Sequence, residues 1–266
     1  MPEINERLGI SEEELSDLRS ELRKAMLYAA SRVTPDTHKN EDDYFVAFMA
    51  KLGIVRFGNG YYLDFQDSKT DSYKSEGRYG CDFGLRVDFY KDKELDFQKA
   101  IIGQAKSNPR EKVEASPNEK QRLDGQCIKM SQVTEHYVVA FRPTNPLAVP
   151  VIHLGDQANA SYFIQSHDFD TYLINQVLPC YHGETDKTII KYMVSATHEG
   201  WSEYRRIFSY RIKTNLPAPK PDLTYDPDGN PTPSTGPSDM KHAKEKPESL
   251  DESSSKKQAR RRRPGM

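Results

Sequence analysis

The sequence has little cysteine and no long apolar run. Its three cysteines, Cys81, Cys127 and Cys180, show no CxxC spacing, and an odd number does not build a disulfide framework. No run approaches the roughly 18 apolar residues of a membrane-spanning helix, and the opening residues MPEINERLGI lack the apolar core of a signal peptide. These absences predict a soluble, cytoplasmic protein without a membrane partner.

An excess of charge of one sign is also missing. The chain carries 38 Lys and Arg against 40 Asp and Glu. Residues 216–266 hold ten cationic and eight anionic side chains, so this segment has a charge of +2 and residues 1–215 have a charge of −4. A strong nonspecific DNA-binding domain is usually basic. The composition therefore argues against that class, unless a basic groove is local.

The segment 216–266 differs from the rest in composition. Nine of the 17 prolines lie after residue 216, and apolar residues are almost absent there. Such a segment buries too little surface to offset the entropy of ordering. We predict one folded domain over 1–215 and a disordered tail over 216–266. The run KKQARRRR at 256–263 is equally consistent with a contact to nucleic acid and with a solubilising tail.

Hydrophobic periodicity predicts helices that alternate with strands. Apolar residues recur at helical spacing in 11–33, 41–53, 118–133 and 158–179, the last with a break near His167. Ser11 and Glu14 form a capping box at the first helix, and Gly58-Asn59-Gly60 predicts a hairpin. Further strands are predicted at 136–141, 148–154, 189–195 and 205–212. This order predicts an α/β or α+β domain with a mixed central sheet flanked by helices.

The pattern that carries chemistry is the stretch CDFGLRVDFYKDKELDFQKAIIGQAKSN, residues 81–108. Alternate residues from Asp82 onward point to opposite faces, and KDKELD forms the turn of a hairpin. A turn centred near residue 93 places Asp82 opposite Gln104, with Lys106 on the same face as Gln104. Asp88 then lies near the turn, roughly 20 Å from Asp82. We therefore exclude Asp88 from a site that includes Asp82.

Asp82 with Gln104-Ala105-Lys106 resembles the PD-(D/E)xK nuclease superfamily, whose members have the restriction endonuclease-like fold. Gln in the place of Glu resembles the QxK variant of Mrr-type restriction nucleases, in which a carboxylate from an earlier helix completes the site. The runs at 125–130 and 134–141, GQCIKM and TEHYVVAF, are similar to a helix and strand of that group. The resemblance covers about residues 41–154 and implies a restriction endonuclease-like core.

The residue types suit the hydrolysis of a phosphodiester with the help of Mg²⁺ or Mn²⁺. Mg²⁺ prefers oxygen ligands, so Asp82 is predicted as the anionic ligand and the side-chain oxygen of Gln104 as a neutral one, with the Ala105 carbonyl as a third. A carboxylate in the acidic first turn of the predicted helix 41–53 restores the charge that Gln104 lacks. We favour Glu41, which lies over the buried face, and keep Asp42 as a close second.

Lys106 is predicted to orient the attacking water or to stabilise the pentacoordinate phosphate. The predicted catalytic residues are thus Glu41, Asp82, Gln104 and Lys106. Gln126 is a candidate contact to a phosphate or a ligand, although such a residue more often satisfies a backbone group. Zinc-ligand spacing is absent from the residues that would be candidates for it, which are Cys180, His182 and His198. His136 and His153, which flank strands, are expected to be ordinary residues.

The sequence and the resemblance together predict a Mg²⁺-dependent endonuclease, a hydrolase that acts on DNA, with RNA as an open alternative. The resemblance implies a role in restriction or antiviral defence and is consistent with a homodimer. Two other classes stay open. One is a catalytically inactive nucleic-acid-binding module on the same fold, and the other is a protein-interaction module whose helices 11–33 and 158–179 form the partner surfaces.

Overall fold

One mixed sheet of eight strands organises the chain in a computed structural model. The described residues are 3–33, 41–68, 80–186 and 208–219. The strands are β1 (Ile54–Phe57), β2 (Tyr61–Ser68), β3 (Phe83–Lys91), β4 (Glu94–Lys106), β5 (Tyr137–Phe141), β6 (Val151–Asp156), β7 (Ser161–Asp168) and β8 (Phe208–Thr214). The helices are α1 (Ile4–Leu8), α2 (Glu12–Ser31), α3 (Glu41–Met49), α4 (Arg110–Ala115), α5 (Pro117–Ser131) and α6 (Phe169–Tyr172), which continues into a π-helical turn, Leu173–Val177.

The strand order across the sheet is β1-β2-β8-β3-β4-β5-β6-β7. Strand β8 comes last in the chain but lies between β2 and β3, antiparallel to the first and parallel to the second. Strands β3 and β4 form a hairpin, and β4 continues as the parallel neighbour of β5. The described part of the chain is therefore an α+β domain with a mixed sheet, as the sequence predicts.

The sheet separates two hydrophobic clusters. The larger cluster lies on the face that α2, α3 and α6 cover, and Phe83, Leu85 and Ile101 point into it. The smaller cluster lies on the other face, where Ile102 and Phe141 pack beneath α5. Period-2 alternation along β3 and β4 explains this division, because neighbouring residues of a strand point to opposite faces.

Local signals fix the predicted helices and hairpins. The capping box of α2 is confirmed: Ser11 Oγ accepts from the Glu14 backbone N–H at 3.1 Å, and the Ser11 N–H donates to Glu14 Oε2 at 2.9 Å. The hairpin around Gly58-Asn59-Gly60 is confirmed as β1 and β2. No helix of the described residues is long and apolar enough to cross a bilayer.

The prediction of a helix over 158–179 is wrong in its first half, which forms the edge strand β7. Asp156 closes the turn before β7, since its side chain accepts from the Asn159 backbone N–H at 3.2 Å. Ala160 has a φ of 49°, a left-handed conformation that ends the turn, and pairing with β6 then holds the strand. The helical pattern is realised from Phe169 onward.

Two smaller differences concern the segment between β4 and α5 and the segment at the end of the fold. The short helix α4 lies between Lys106 and α5, where the sequence predicts no helix. The strand predicted at 205–212 overlaps β8, and the one predicted at 189–195 lies outside the described residues. Leu216 is buried in the larger cluster.

Candidate active site

The hairpin of β3 and β4 places Asp82 opposite Gln104. Phe83 pairs with Gly103, and the Asp82 N–H donates to the Gly103 carbonyl at 2.8 Å. The turn is Asp92-Lys93, whose φ values of 49° and 71° are typical of a two-residue type I′ hairpin. A β-bulge between Phe89 and Tyr90 shifts the pairing by one residue, and beyond it the predicted register is confirmed up to the open end of the hairpin.

The Asp82 carboxylate is held by β4. Its Oδ2 accepts hydrogen bonds from Gln104 Nε2 and, at 3.1 Å, from the Ala105 backbone N–H. Asp82 is 8% exposed and Gln104 is fully buried. The carboxylate therefore has one fixed orientation at the sheet end, with one edge just reachable from solvent.

The side-chain oxygen of Gln104 is a buried acceptor without a donor. Gln104 Oε1 accepts no hydrogen bond from the residues that the structure describes, whereas Nε2 also approaches the Ala105 carbonyl at 3.3 Å. A buried amide oxygen normally has a partner. A half turn of the planar amide exchanges its oxygen and nitrogen, which brings Oε1 beside the Asp82 carboxylate and the Ala105 carbonyl. These three oxygen donors fit a hard divalent cation.

Lys106 lies on the same face and is 2% exposed. Its Nζ donates to Gln126 Oε1 on α5 at 3.0 Å. Gln126 thus lies beside Lys106, and its predicted contact to a phosphate or ligand stays a prediction. The ammonium and the Asp82 carboxylate are thus brought to one end of the sheet from adjacent positions of one hairpin.

Gly80 allows helix α5 to pack closely against the segment that precedes Asp82. Gly80 has a φ of 71°, and a Cβ there would lie 2.3 Å from the Gln126 carbonyl oxygen. The segment that leads into Asp82 therefore rests directly on the backbone of α5. Beneath it, burial raises the pKa of the Cys127 thiol to about 12. That thiol is neutral near pH 7 and is not a thiolate ligand.

The acidic first turn of α3 begins at Glu41, and the side chains of Glu41, Asp42 and Asp43 lie outside the described part of the structure. The position of the helix end is nevertheless defined. The Tyr44 ring centroid lies 4.7 Å from the Arg142 Cζ, and the Arg142 N–H donates to the Lys106 carbonyl at 3.0 Å. The N-terminal end of α3 is therefore at the Lys106 end of the sheet.

Helix α3 covers the face of the sheet opposite to Asp82. The ring centroids of Phe45 and Phe83 are 4.5 Å apart, and Phe83 points away from the Asp82 face because the two residues are adjacent in the chain. To reach Asp82, a carboxylate from the first turn of α3 would have to pass the strand ends. The choice between Glu41 and Asp42 stays a prediction.

Asp88 is separate from this site, as its sequence position predicts. It pairs with Gln98 near the turn, where Gln98 Nε2 donates to Asp88 Oδ1 at 3.0 Å. The fully buried carboxylate forms ion pairs with Arg86, at 3.0 Å, and with Arg211. Asp88 thus joins β3, β4 and β8.

The histidines have protein partners of an ordinary kind. His153 Nδ1 lies 2.8 Å from the Phe163 carbonyl, and His182 Nδ1 lies 2.7 Å from the Tyr172 hydroxyl. Burial lowers the pKa of His182 well below its usual value, with further lowering by His136. Among the described residues, no group of three or more His, Cys, Asp or Glu is arranged to hold a metal. His198 lies outside the described part of the chain.

Two residues at this end of the sheet were not found from the sequence. Arg142 follows the buried strand β5 and is 8% exposed, and Tyr44 in α3 is 2% exposed. Burial raises the pKa of the Tyr44 hydroxyl against the opposing effect of Arg142. A charged residue directly after a continuous apolar strand is the signal that marks Arg142.

No protein-family model, curated protein or solved structure matches this chain.

Proposed function

We propose that the chain is a Mg²⁺-dependent nuclease with a restriction endonuclease-like core, which hydrolyses phosphodiester bonds of DNA. One observation carries the proposal: Asp82, Gln104 and Lys106 converge at the open end of one hairpin, and Gln104 presents a buried oxygen that has no donor among the described residues. The resemblance to QxK nucleases supports the same reading. The role in restriction or antiviral defence is part of this proposal, as is a homodimer for double-strand cleavage.

The residues that would hold the metal are Asp82, the Gln104 Oε1 and the Ala105 carbonyl, with Glu41, or else Asp42, as the second carboxylate. Mg²⁺ or Mn²⁺ there would supply a coordinated water of lowered pKa and positive charge beside the phosphate. The Ala105 N–H, which donates to Asp82 at 3.1 Å, keeps the Asp82 carboxylate oriented toward that position.

Lys106 supplies the positive charge that the phosphate needs in the transition state. Its ammonium is nearly buried, so its interaction with a developing negative charge is stronger than it would be in water. Gln126 accepts from Lys106 at 3.0 Å and fixes the position of Nζ. Lys106 stabilises the pentacoordinate phosphate, and Gln126 acts as its positioning residue.

The alternative is a catalytically inactive binding module on the same fold. The direct hydrogen bond from Gln104 Nε2 to Asp82 motivates it, because this contact satisfies the carboxylate without a cation. Metal-dependent binding of DNA without cleavage of any substrate would favour the alternative.

The test uses plasmid, linear double-stranded and single-stranded DNA, and RNA, each with Mg²⁺, Mn²⁺ or EDTA. We expect cleavage that EDTA abolishes. Asp82→Asn and Lys106→Met should each lower kcat at least about a hundredfold. Two controls lie at the other end of the same hairpin, where Asp92 and Lys91 are exposed: Asp92→Asn and Lys91→Met should retain full activity. Equal rates for the site variants and their controls would refute the assigned site.

A further inference from the structure

Arg142 is a buried cation without an anionic partner among the described side chains. It is 8% exposed, and its Nη2 is buried without a hydrogen-bond acceptor. Its one aromatic contact is the face of Tyr44, with Cζ 4.7 Å from the ring centroid. Burial of a charged group is unfavourable unless the charge is paired. The arrangement therefore suits an anion, which the described side chains do not provide there.

Like Arg142 Nη2, the hydroxyl of the neighbouring Tyr44 is a buried polar group without a hydrogen-bond partner among the described residues. A guanidinium and a phenol that both lack acceptors suit an anion with several oxygens, since each can donate to a different oxygen. Phosphate is such an anion, and arginine is well matched to its geometry.

The position of the pair relates it to the candidate active site. Phe141 pairs with Lys106 across β5 and β4, and Arg142 is the next residue. Neighbouring strands lie about 4.8 Å apart. The Arg142 backbone N–H donates a hydrogen bond to the Lys106 carbonyl at 3.0 Å. Because Phe141 shares the face of Lys106, the Arg142 side chain points to the opposite face, toward Tyr44 of α3. A phosphate beside Arg142 would therefore lie across the strand ends from a phosphate at Lys106.

A cavity of about 220 Å³ adjoins these strand ends and gives a polymer room to continue. Its lining includes Arg110, Arg142, Thr144, His153 and Ser166. Arg110, Arg142, Thr144 and Ser166 can donate to an oxygen of a phosphate or a sugar, whereas His153 donates its Nδ1–H to the Phe163 carbonyl, and Glu111 in the same lining is an acceptor. The cavity thus extends from Arg142 along the carboxyl end of β5, and Asp82, Gln104 and Lys106 are not among its lining residues.

We propose that Arg142 and Tyr44 form a second phosphate subsite, which holds the phosphodiester next to the one that is cut. This inference rests on the proposed nuclease function and specifies its substrate as a polymer with at least two consecutive phosphates. It also locates a local positive charge in a part of the chain whose net charge is negative.

The test separates binding from hydrolysis. Affinity for a fluorescein-labelled single-stranded decanucleotide is measured by anisotropy in CaCl₂ at several KCl concentrations. We expect Arg142→Gln to weaken binding at least about tenfold. The slope of the log association constant against log [KCl], which is negative, should become smaller in magnitude by about 0.7. Tyr44→Phe keeps the ring beneath Arg142 and should weaken binding about threefold, without a change in slope.

The matched control is Arg56→Gln, which removes an exposed arginine from β1 at the opposite edge of the sheet. Thermal unfolding reports whether each variant is folded, and Arg142→Lys serves if Arg142→Gln is not. Arg142→Lys should retain the salt slope and lose affinity, because it keeps the charge without the planar guanidinium. An Arg142→Gln protein that binds the decanucleotide as Arg56→Gln does would overturn the subsite.

Hydrolysis of bis(4-nitrophenyl) phosphate, a diester with a single phosphate, tests the proposed function without the subsite. Loss of this activity in Asp82→Asn together with unaltered oligonucleotide binding in Arg142→Gln would retain the nuclease and reject the subsite. The reverse pair, no hydrolysis by the wild type but Arg142-dependent binding, would retain the phosphate site and reject the catalysis.

Discussion

Lys106 Nζ donates to Gln126 Oε1 at 3.0 Å, which ties the end of strand β4 to the middle of helix α5. The two residues belong to elements that meet on the face of the smaller hydrophobic cluster. The ammonium is therefore positioned by a residue from a different element.

Replacement of Gln126 by Leu should lower kcat about 10- to 100-fold with little change in KM, because Lys106 loses the acceptor that positions it. Gln126→Glu keeps an acceptor of the same length and should recover most of the rate. Steady-state kinetics on a plasmid substrate measures both constants. Equal losses in the two variants, or a loss confined to KM, would contradict a positioning role.

Gly80→Ala should lower the free energy of unfolding by about 2 to 4 kcal/mol, since it combines a left-handed φ with a collision against the Gln126 carbonyl. Gly125→Ala is the matched control in α5, where a Cβ would meet no atom within 4 Å. This control should raise the free energy of unfolding by about 0.5 to 1 kcal/mol. Urea titrations of the two variants measure the difference, and similar values would refute the steric argument.

Lys99 predicts a pH dependence of stability. The side chain is fully buried, and its Nζ donates to the carbonyls of Val177 and, at 2.9 Å, His182. Burial lowers its pKa to about 8, against the opposing effect of Cys180. The unfolded chain, with a pKa of about 10.4, therefore binds more protons between these two values, and stability rises with pH in that window.

Relative to Lys99→Met, the wild type should gain up to about 3 kcal/mol in free energy of unfolding as the pH rises from 8 to 10.4. Below pH 8 the difference between the two proteins should be constant. The comparison cancels the opposite effect of groups such as Cys127, whose pKa is raised. Denaturant titrations at half-unit intervals measure it, and a flat difference across the window would disprove the linkage.

Asp88 lies in β3 and Asp82 directly precedes that strand, but the two should respond differently to the same substitution. Asp88→Asn weakens the buried pairs with Arg86 and Arg211 and should lower the free energy of unfolding by about 2 to 4 kcal/mol. Asp82→Asn should cost activity and little stability. Unfolding and cleavage assays on both proteins compare the effects, and a large loss of activity in folded Asp88→Asn would place Asp88 in the site.

The sequence predicted the hairpin end because two strong local rules act together there. Alternation sets which residues share a face, and a turn centred near residue 93 places Asp82 opposite Gln104. In the structure this register results from the turn at Asp92-Lys93 together with a β-bulge between Phe89 and Tyr90, which the sequence did not predict. The same alternation assigns Lys99 to the larger cluster, together with Ile101, although the sequence alone did not draw attention to it. Its carbonyl partners come from a segment about 80 residues later.

Tertiary contacts decided what the sequence did not predict. Strand β7 has a helical pattern of apolar residues, but pairing with β6 overrides this preference, and Ile164 at its centre is 76% exposed. The face that α3 covers depends on its packing against Phe83. Arg142 Nη2 lacks an acceptor because tertiary contacts bury it. No local sequence pattern reveals this burial.

The insertion of β8 between β2 and β3 has a consequence for biosynthesis. Until residues 208–214 have left the ribosome, the hairpin of β1 and β2 has no hydrogen-bonded neighbour, and β3 is an open edge of the remaining strands. A nascent or truncated chain that ends before β8 therefore exposes two unpaired strand edges, which favour aggregation. Completion of the sheet awaits the last described strand, so nearly the whole domain must be synthesised before its fold can close.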